Sequence, residues 1–230
     1  MITKIYAPGG IPDVWFMALY HLVQNNRRYR VDLGSFECQD RIEIPDFVVL
    51  EVHNAYQEPW DLMRPIIPKG LGIPDPVGEG YIEEYIQKVV LGNTKAPNED
   101  YTYGQRIDNQ IEQCSQKLKA SPGTNHAVIQ IAAPGDLSLH DPPCLRHVDM
   151  KVMDGELIMY PYFRSWELWA GLPANLAAIA IIQEMLCNEI GVERGPIIAS
   201  TKSLHIYDYA MPLALLRCAG ASKVKGDKDE

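Results

Sequence analysis

The sequence is short of positive charge: 21 Lys and Arg stand against 30 Asp and Glu, a formal net charge of −9. That balance argues against nucleic acid as the main partner, because a polyphosphate strand needs a basic face. A small phosphorylated ligand needs only two or three local donors and stays open. Cysteine is scarce too. The five (Cys38, Cys114, Cys144, Cys187 and Cys218) are an odd number without C-x-x-C spacing. They suggest neither a zinc site nor a disulfide framework, and fit a reducing cytoplasm. One or two at most are expected to be reactive, the rest being small core residues. No N-terminal stretch combines basic residues, an apolar run and a small-residue cleavage site, so no export signal is visible. The most apolar region, Leu168 to Leu186, is interrupted by Gly171, Pro173, Asn175, Gln183 and Glu184. It reads as a buried loop and helix rather than a membrane span. Repeats and low-complexity tracts are missing, apart from a charged tail, Lys223 to Glu230, expected to be disordered.

What is present is an ordinary globular composition, 47% apolar and 22% charged over 230 residues. It supports one compact domain over residues 1–222. Pro12 and Asp13 open a helix on which Trp15, Ala18, Leu19, Leu22 and Val23 share a face. Residues 43–52 read as a strand, and the Pro/Gly-rich stretch from Pro59 to Gly80 as an ordered loop. A helix over 81–91 places Tyr81, Ile82, Tyr85, Ile86, Val89 and Val90 on one side and ends at Gly92-Asn93. Another runs from about Gln105 to Lys119 until Ser121-Pro122-Gly123. Ala127 to Ala132 is a strand. Val148, Met150 and Val152 alternate up to Asp154-Gly155, a hairpin turn, and Leu157 to Phe163 returns. Asn175 to Ile190 is apolar almost all round, a central buried helix. Pro196 to Tyr207 supplies the last strands. This mixture predicts an α+β fold, a mixed sheet packed against helices.

Several residues are candidates for chemistry. Cys144 follows Pro142-Pro143 at a strand entrance, with Arg146, His147 and Arg164 as cations that can stabilise a thiolate. Alone, such a cysteine is more often structural. Arg164-Ser165 at a strand end can grip a phosphate, or make a surface salt bridge. Asn175 can cap a helix, or read the edge of a uracil by donating to a carbonyl and accepting from a ring N–H. His205 and Tyr207 share a strand face and can reach a sugar hydroxyl, or form a structural pair. Glu83 and Glu84 offset a helix dipole, or one of them relays protons. Tyr103-Gly104 is a further polar contact or a helix start.

Taken in order, Tyr103-Gly104, Pro143-Cys144, Asp154-Gly155, Arg164-Ser165, Gly171-Leu172-Pro173-x-Asn175 and His205-x-Tyr207 resemble the thymidylate synthase superfamily over residues 80 to 210. The strings YTYG, DPPCLRH, YFRSWELW and LHIYDY are most similar to its short, methanogen-type branch. The resemblance implies a homodimer packed through a sheet face, located in the cytoplasm. It also implies transfer of a one-carbon unit from a reduced folate or methanopterin-type carrier, in its 5,10-methylene form, to C5 of dUMP. Cys144 would add to C6. Arg164 and Ser165 would hold the phosphate, with Arg164 also stabilising the thiolate. Asn175 would read the base, and His205 and Tyr207 would hold the deoxyribose. Glu84, or Glu83 one residue earlier, would relay protons, and Tyr103 would line the pocket. Glu167 stands where the family has an aspartate after Arg-Ser and would face the pterin. No metal is implied.

The departures fall mostly on the pterin half. Asn125-His126 replaces the paired arginines that reach the partner subunit's phosphate, with Arg41 and Arg146 as substitutes. Leu145 follows the nucleophile in place of a histidine, Ala132-Ala133 stands for Trp-Asn, and the chain ends KVKGDKDE instead of in an apolar tail. Alternatives are a dUMP or dCMP (or CMP) hydroxymethylase and a non-catalytic nucleotide-binding relative.

Overall fold

The structure, a computed structural model, describes residues 1–32, 39–92, 95 and 100–226, with side chains as far as Ala219. Cys38, Asn93 and residues 227–230 of the expected tail lie outside the described residues. The strands are β1 (Ile2–Ala7), β2 (Arg27–Val31), β3 (Gln39–Glu43), β4 (Phe47–Val52), β5 (Val128–Gln130), β6 (Leu145–Met153), β7 (Glu156–Phe163), β8 (Trp166–Glu167), β9 (Glu193–Thr201) and β10 (Leu204–Tyr207). The helices are α1 (Ile11–Gln24), α2 (Tyr81–Tyr85), α3 (Tyr103–Ile107), α4 (Gln110–Ala120), α5 (Gly171–Ile190) and α6 (Met211–Gly226).

A six-stranded sheet runs in the order β1-β4-β9-β7-β6-β5. The β1–β4 and β7–β9 pairs are parallel and the others antiparallel. A four-stranded sheet, β2-β3-β10-β8, lies beside it. Mixed pairing of this kind is the expected α+β architecture. One face of the larger sheet is buried in the core through Ile5, Val48, Leu50, Leu157, Met159 and Ile197, with α1 and α5 packed on it. The opposite face presents Tyr6, Phe47, His147, Tyr160 and Tyr162, exposed or half-buried. There Phe47 stacks on Tyr162 with ring centroids 6.4 Å apart, and His147 lies 5.8 Å from Tyr162.

The hairpin turn forms as read. Asp154 and Gly155 both have positive φ, 53° and 84°, the requirement of a tight type I′ connection. Other expectations change in detail. Residues 43–52 split into β3 and β4 because Pro45 has no N–H for a ladder. The helix expected over 105–119 breaks at Asp108, φ 41°, into α3 and α4. The helix over 81–91 is α only as far as Tyr85 and widens into a π-helical turn, Ile86–Val90. Strands β1 and β2 were not anticipated. Helix α6 continues through Gly226, into the segment read as tail.

Helix α5 is the central pillar, with Leu172, Leu176, Ala177, Ile179, Ala180, Ile181 and Leu186 all buried. At about 1.5–3 kcal/mol for each fully buried large aliphatic side chain, it is the main apolar contribution of any single helix. It begins at Gly171, four residues before the expected start, so Asn175 is inside its second turn and is not its N-cap.

Candidate active site

Cys144 is held by its neighbours on both sides. Pro142 and Pro143 fix the approach, and the Arg164 amide donates to the Cys144 carbonyl at 2.8 Å as β7 ends opposite. The Arg164 guanidinium turns back on the same run. Its Nε donates to the Pro143 carbonyl at 3.1 Å, and its Nη2 to the Pro142 carbonyl and to Asp141 at 3.4 Å. A β-bulge follows at once between Leu145 and His147, a device that re-aims side chains beside functional sites. Arg146 is directed elsewhere, to the Pro143 carbonyl at 3.1 Å and to buried Asp136 at 3.5 Å. Burial works against ionisation of Asp136, yet the Ala133 amide and Arg106 hold its carboxyl below the usual range.

An open cavity of about 180 Å³ is lined by Arg41, Cys144, Arg164, Ser165, Glu167, His205 and Tyr207, with Asp141 and His140 at its edge. Burial raises the Cys144 thiol pKa, while Arg164, and after it Arg41 and Arg146, act in the opposite direction. The sulfur is therefore a protonated thiol at rest with cations at hand. His205 is buried and depressed to about 4, by burial first and Arg41 second, so its ring is neutral. Its Nδ1 lies 3.4 Å from the Ser203 carbonyl, an atom that only accepts, so Nδ1 carries the proton and Nε2 a lone pair. That Nε2 is buried and has no partner among the described residues. Ser203 is itself anchored: its Oγ donates to buried Glu43 at 2.6 Å, and Arg27 donates to Glu43 at 2.7 Å. Tyr207 is raised to about 12 by burial and remains a donor at neutral pH.

Glu167 works on the chain itself. Its carboxylate accepts from the amides of Trp169 at 2.6 Å, Ala170 at 2.8 Å and Gly171 at 2.7 Å, satisfying the orphan donors at the start of α5. Burial still raises the Glu167 carboxyl.

Behind Cys144 lies a second, inner cavity of about 30 Å³, lined by Tyr85, Tyr103, Leu145, Asn175 and aliphatic side chains. It has room for a water or two. Asn175 lines this inner cavity and is not among the residues that line the outer one. Its Oδ1 accepts from the Trp166 indole at 3.0 Å, and its Nδ2 donates to the Tyr85 hydroxyl at 2.7 Å. Tyr103 accepts from the Leu145 amide at 3.4 Å. Its position follows from Gly104, whose Cβ would lie 2.2 Å from the Gly92 carbonyl, and from Thr102, which donates to that carbonyl at 3.0 Å.

The structure therefore brings together Cys144, Arg164, Ser165, Glu167, His205 and Tyr207, with Tyr103 and Asn175 immediately behind. It does not bring Glu84 in. That carboxylate is exposed on the outer side of α2, in an ion pair with Lys88 at 2.5 Å, and Glu83 is exposed as well. The side chain that α2 directs inward is Tyr85. Of the two substitute arginines, Arg41 lines the cavity and Arg146 does not. Asn125 and His126 are exposed ahead of β5. Sequence reasoning assigned no chemistry to Tyr85, Tyr101 or Asp141. The 81–91 amphipathic pattern already placed Tyr85 on the buried side, the one available signal. Among the described residues, no group of three or more His, Cys, Asp or Glu can hold a metal ion, and no helix is long and apolar enough to cross a membrane.

A family profile described as "Thymidylate synthase" matches residues 80–220. A protein named "Putative thymidylate synthase" from Methanosarcina acetivorans is 28% identical over 217 residues, covering 90% of this chain and 91% of the relative. A protein of the same name from Methanosarcina barkeri is 31% identical over 215 residues, with 90% and 91% covered. Among solved structures, the thermostable thymidylate synthase A from Bacillus subtilis superposes with a TM-score of 0.64. It is 16% identical, with 90% of this chain and 83% of that chain covered, a likeness of fold.

Proposed function

The chain belongs to the thymidylate synthase family, and we propose that it carries a one-carbon unit from a reduced pterin to C5 of dUMP, giving dTMP. The observation that carries this reading is one cavity shared by a nucleophilic sulfur, a guanidinium, a hydroxyl and a neutral imidazole. In it, Arg164, Ser165 and Arg41 receive the phosphate by charge-assisted and neutral hydrogen bonds. His205 Nε2 accepts from the deoxyribose 3′-hydroxyl and Tyr207 donates to the same atom. The pyrimidine then extends past Cys144 towards Asn175.

In the chemical step the Cys144 thiolate adds to C6 and the C5=C6 electron pair moves towards the C4 carbonyl, which makes C5 nucleophilic. A 5,10-methylene folate or methanopterin, when bound, supplies the electrophilic carbon. The residues beside the sulfur fit a flat heterocycle in one respect. Tyr101 is a half-buried ring close enough to Cys144 and Arg164 to sense their charges, with Arg106 5.5 Å from its centroid. Glu167 contributes indirectly by holding the start of α5. Dimer formation through the aromatic face of the larger sheet completes the reading, since a bare patch of tyrosine and phenylalanine favours a partner.

The test is tritium release from C5-labelled dUMP with a panel of reduced pterins, together with covalent trapping by 5-fluoro-dUMP. Release, a Cys144 adduct and a methylated product are expected. A product one oxygen heavier would mean hydroxymethylation. Tight dUMP binding with neither adduct nor release under any pterin would leave a binding protein instead.

A further inference from the structure

The base end of the site is built around a phenol. Asn175 has its amide orientation fixed by chemistry: the Trp166 indole can only donate, so the atom it meets at 3.0 Å must be Oδ1, and Nδ2 must face Tyr85 at 2.7 Å. Tyr85 therefore acts as acceptor in that bond, and its own proton has no acceptor among the described residues. Tyr85 lines the inner cavity together with Ile129, Ile131, Leu145 and Met159. An apolar lining offers that proton no competing partner and makes one well-placed acceptor count for more. Tyr85 is also near enough to Cys144 for a thiolate there to raise its pKa, after the larger effect of burial and those of Tyr103 and Tyr81. The phenol stays protonated throughout.

We infer that the Tyr85 hydroxyl donates a hydrogen bond to the C4 carbonyl of the bound pyrimidine, and so is a catalytic residue of this chain. The inference rests on the dUMP reading. When sulfur bonds to C6, the C5=C6 pair becomes the C4=C5 pair of an enolate, and the negative charge of the thiolate passes to O4. A donor already aimed at that oxygen stabilises the charge where it develops and transfers no proton. Position in α2 supports the assignment. Tyr85 follows buried Ile82 by three residues and precedes buried Ile86, so it shares their inward face while Glu83 and Glu84 point to solvent. The arrangement also selects the base. Uracil meets the Tyr85 proton with a carbonyl, whereas cytosine would meet it with an amino group, donor against donor.

The experiment compares the full chain with Y85F and with 2,3-difluorotyrosine placed at position 85. It measures tritium release from C5-labelled dUMP, dUMP affinity by calorimetry, and the melting temperature. For Y85F we expect kcat to fall about 100-fold, dUMP affinity to change less than about fivefold, and melting to stay unchanged. The preference for dUMP over dCMP, read as relative affinity, should narrow about tenfold or more. With difluorotyrosine, a more acidic phenol, kcat should recover and its alkaline limb should move to lower pH. A Y85F enzyme within threefold of wild-type kcat overturns the inference and leaves the dUMP reading standing. So does a loss that tracks the melting temperature while difluorotyrosine leaves the pH profile unmoved. Failure of the wild-type chain itself to release tritium with any pterin removes the dUMP reading, and this inference with it.

Discussion

Arg164 and Cys144 are joined through the backbone: the amide of one donates to the carbonyl of the other at 2.8 Å. The guanidinium of Arg164 meanwhile clasps the two proline carbonyls immediately upstream of the sulfur. One residue thus fixes where the thiol stands and supplies the charge that favours its ionisation. Replacing Arg164 with lysine keeps a cation but removes the fork that holds both carbonyls. The kcat/KM for dUMP should drop about 100-fold. R164Q should in addition raise the Cys144 pKa, because the cation that favoured the thiolate is gone. The pH dependence of iodoacetamide labelling measures this.

The resting thiol titrates late. Burial raises its pKa, and only the deprotonated form reacts, so alkylation of Cys144 should climb across pH 7–9 without a plateau. It should nevertheless be the first of the four described cysteines to label. Cys114 is buried and raised as well, and Cys187 and Cys218 are pushed up to about 12 and about 11 by burial. Mass analysis of partly labelled protein checks the order.

His205 makes the fold acid-sensitive. Its ring is depressed to about 4 in the folded chain, against about 6.5 when unfolded. Between those values the unfolded state binds more protons, so stability rises with pH through that window and is lost as pH falls. The full effect is up to about 3 kcal/mol. H205N should flatten the urea-unfolding profile between pH 4 and 6.5 relative to wild type, with sugar binding weakened at every pH.

Glu84 should be dispensable. It is exposed and paired with an equally exposed Lys88, an arrangement worth little. E84Q and E83Q should each keep kcat within about twofold of wild type. A hundredfold loss in either would place a carboxylate, after all, at the base.

The aromatic face of the larger sheet should be an interface. A charge at its centre, Y162E, should shift sedimentation towards monomer, since an unpaired charge is not readily buried between two copies. Unchanged sedimentation, with both forms dimeric, would place the contact elsewhere.

The reach of sequence reasoning here follows from range. The hairpin turn is written in two adjacent residues, Asp154 and Gly155. His205 and Tyr207 meet the same cavity because strand geometry puts alternate residues on one face. Other features depend on partners far away in the chain. Helix α5 starts at Gly171 because Glu167 receives its amides, and Asn175 then finds Trp166 and Tyr85, the latter 90 positions upstream. Strand β2, RRYRV, carries three arginines, and its alternation, Tyr29 and Val31 between arginines, is too short to read as a strand. It exists because β3 pairs with it and Glu43 receives Arg27. The inward turn of Tyr85 is carried by the local pattern Ile82, Tyr85, Ile86, but its bond to Asn175 is not, because that partner comes from α5.

Cys144 lines the outer cavity and its neighbour in the chain, Leu145, lines the inner one. A ligand crowding the tyrosines would press on the residue next to the nucleophile, and inhibitors shaped for the small apolar room could silence the reaction while the phosphate seat stays empty.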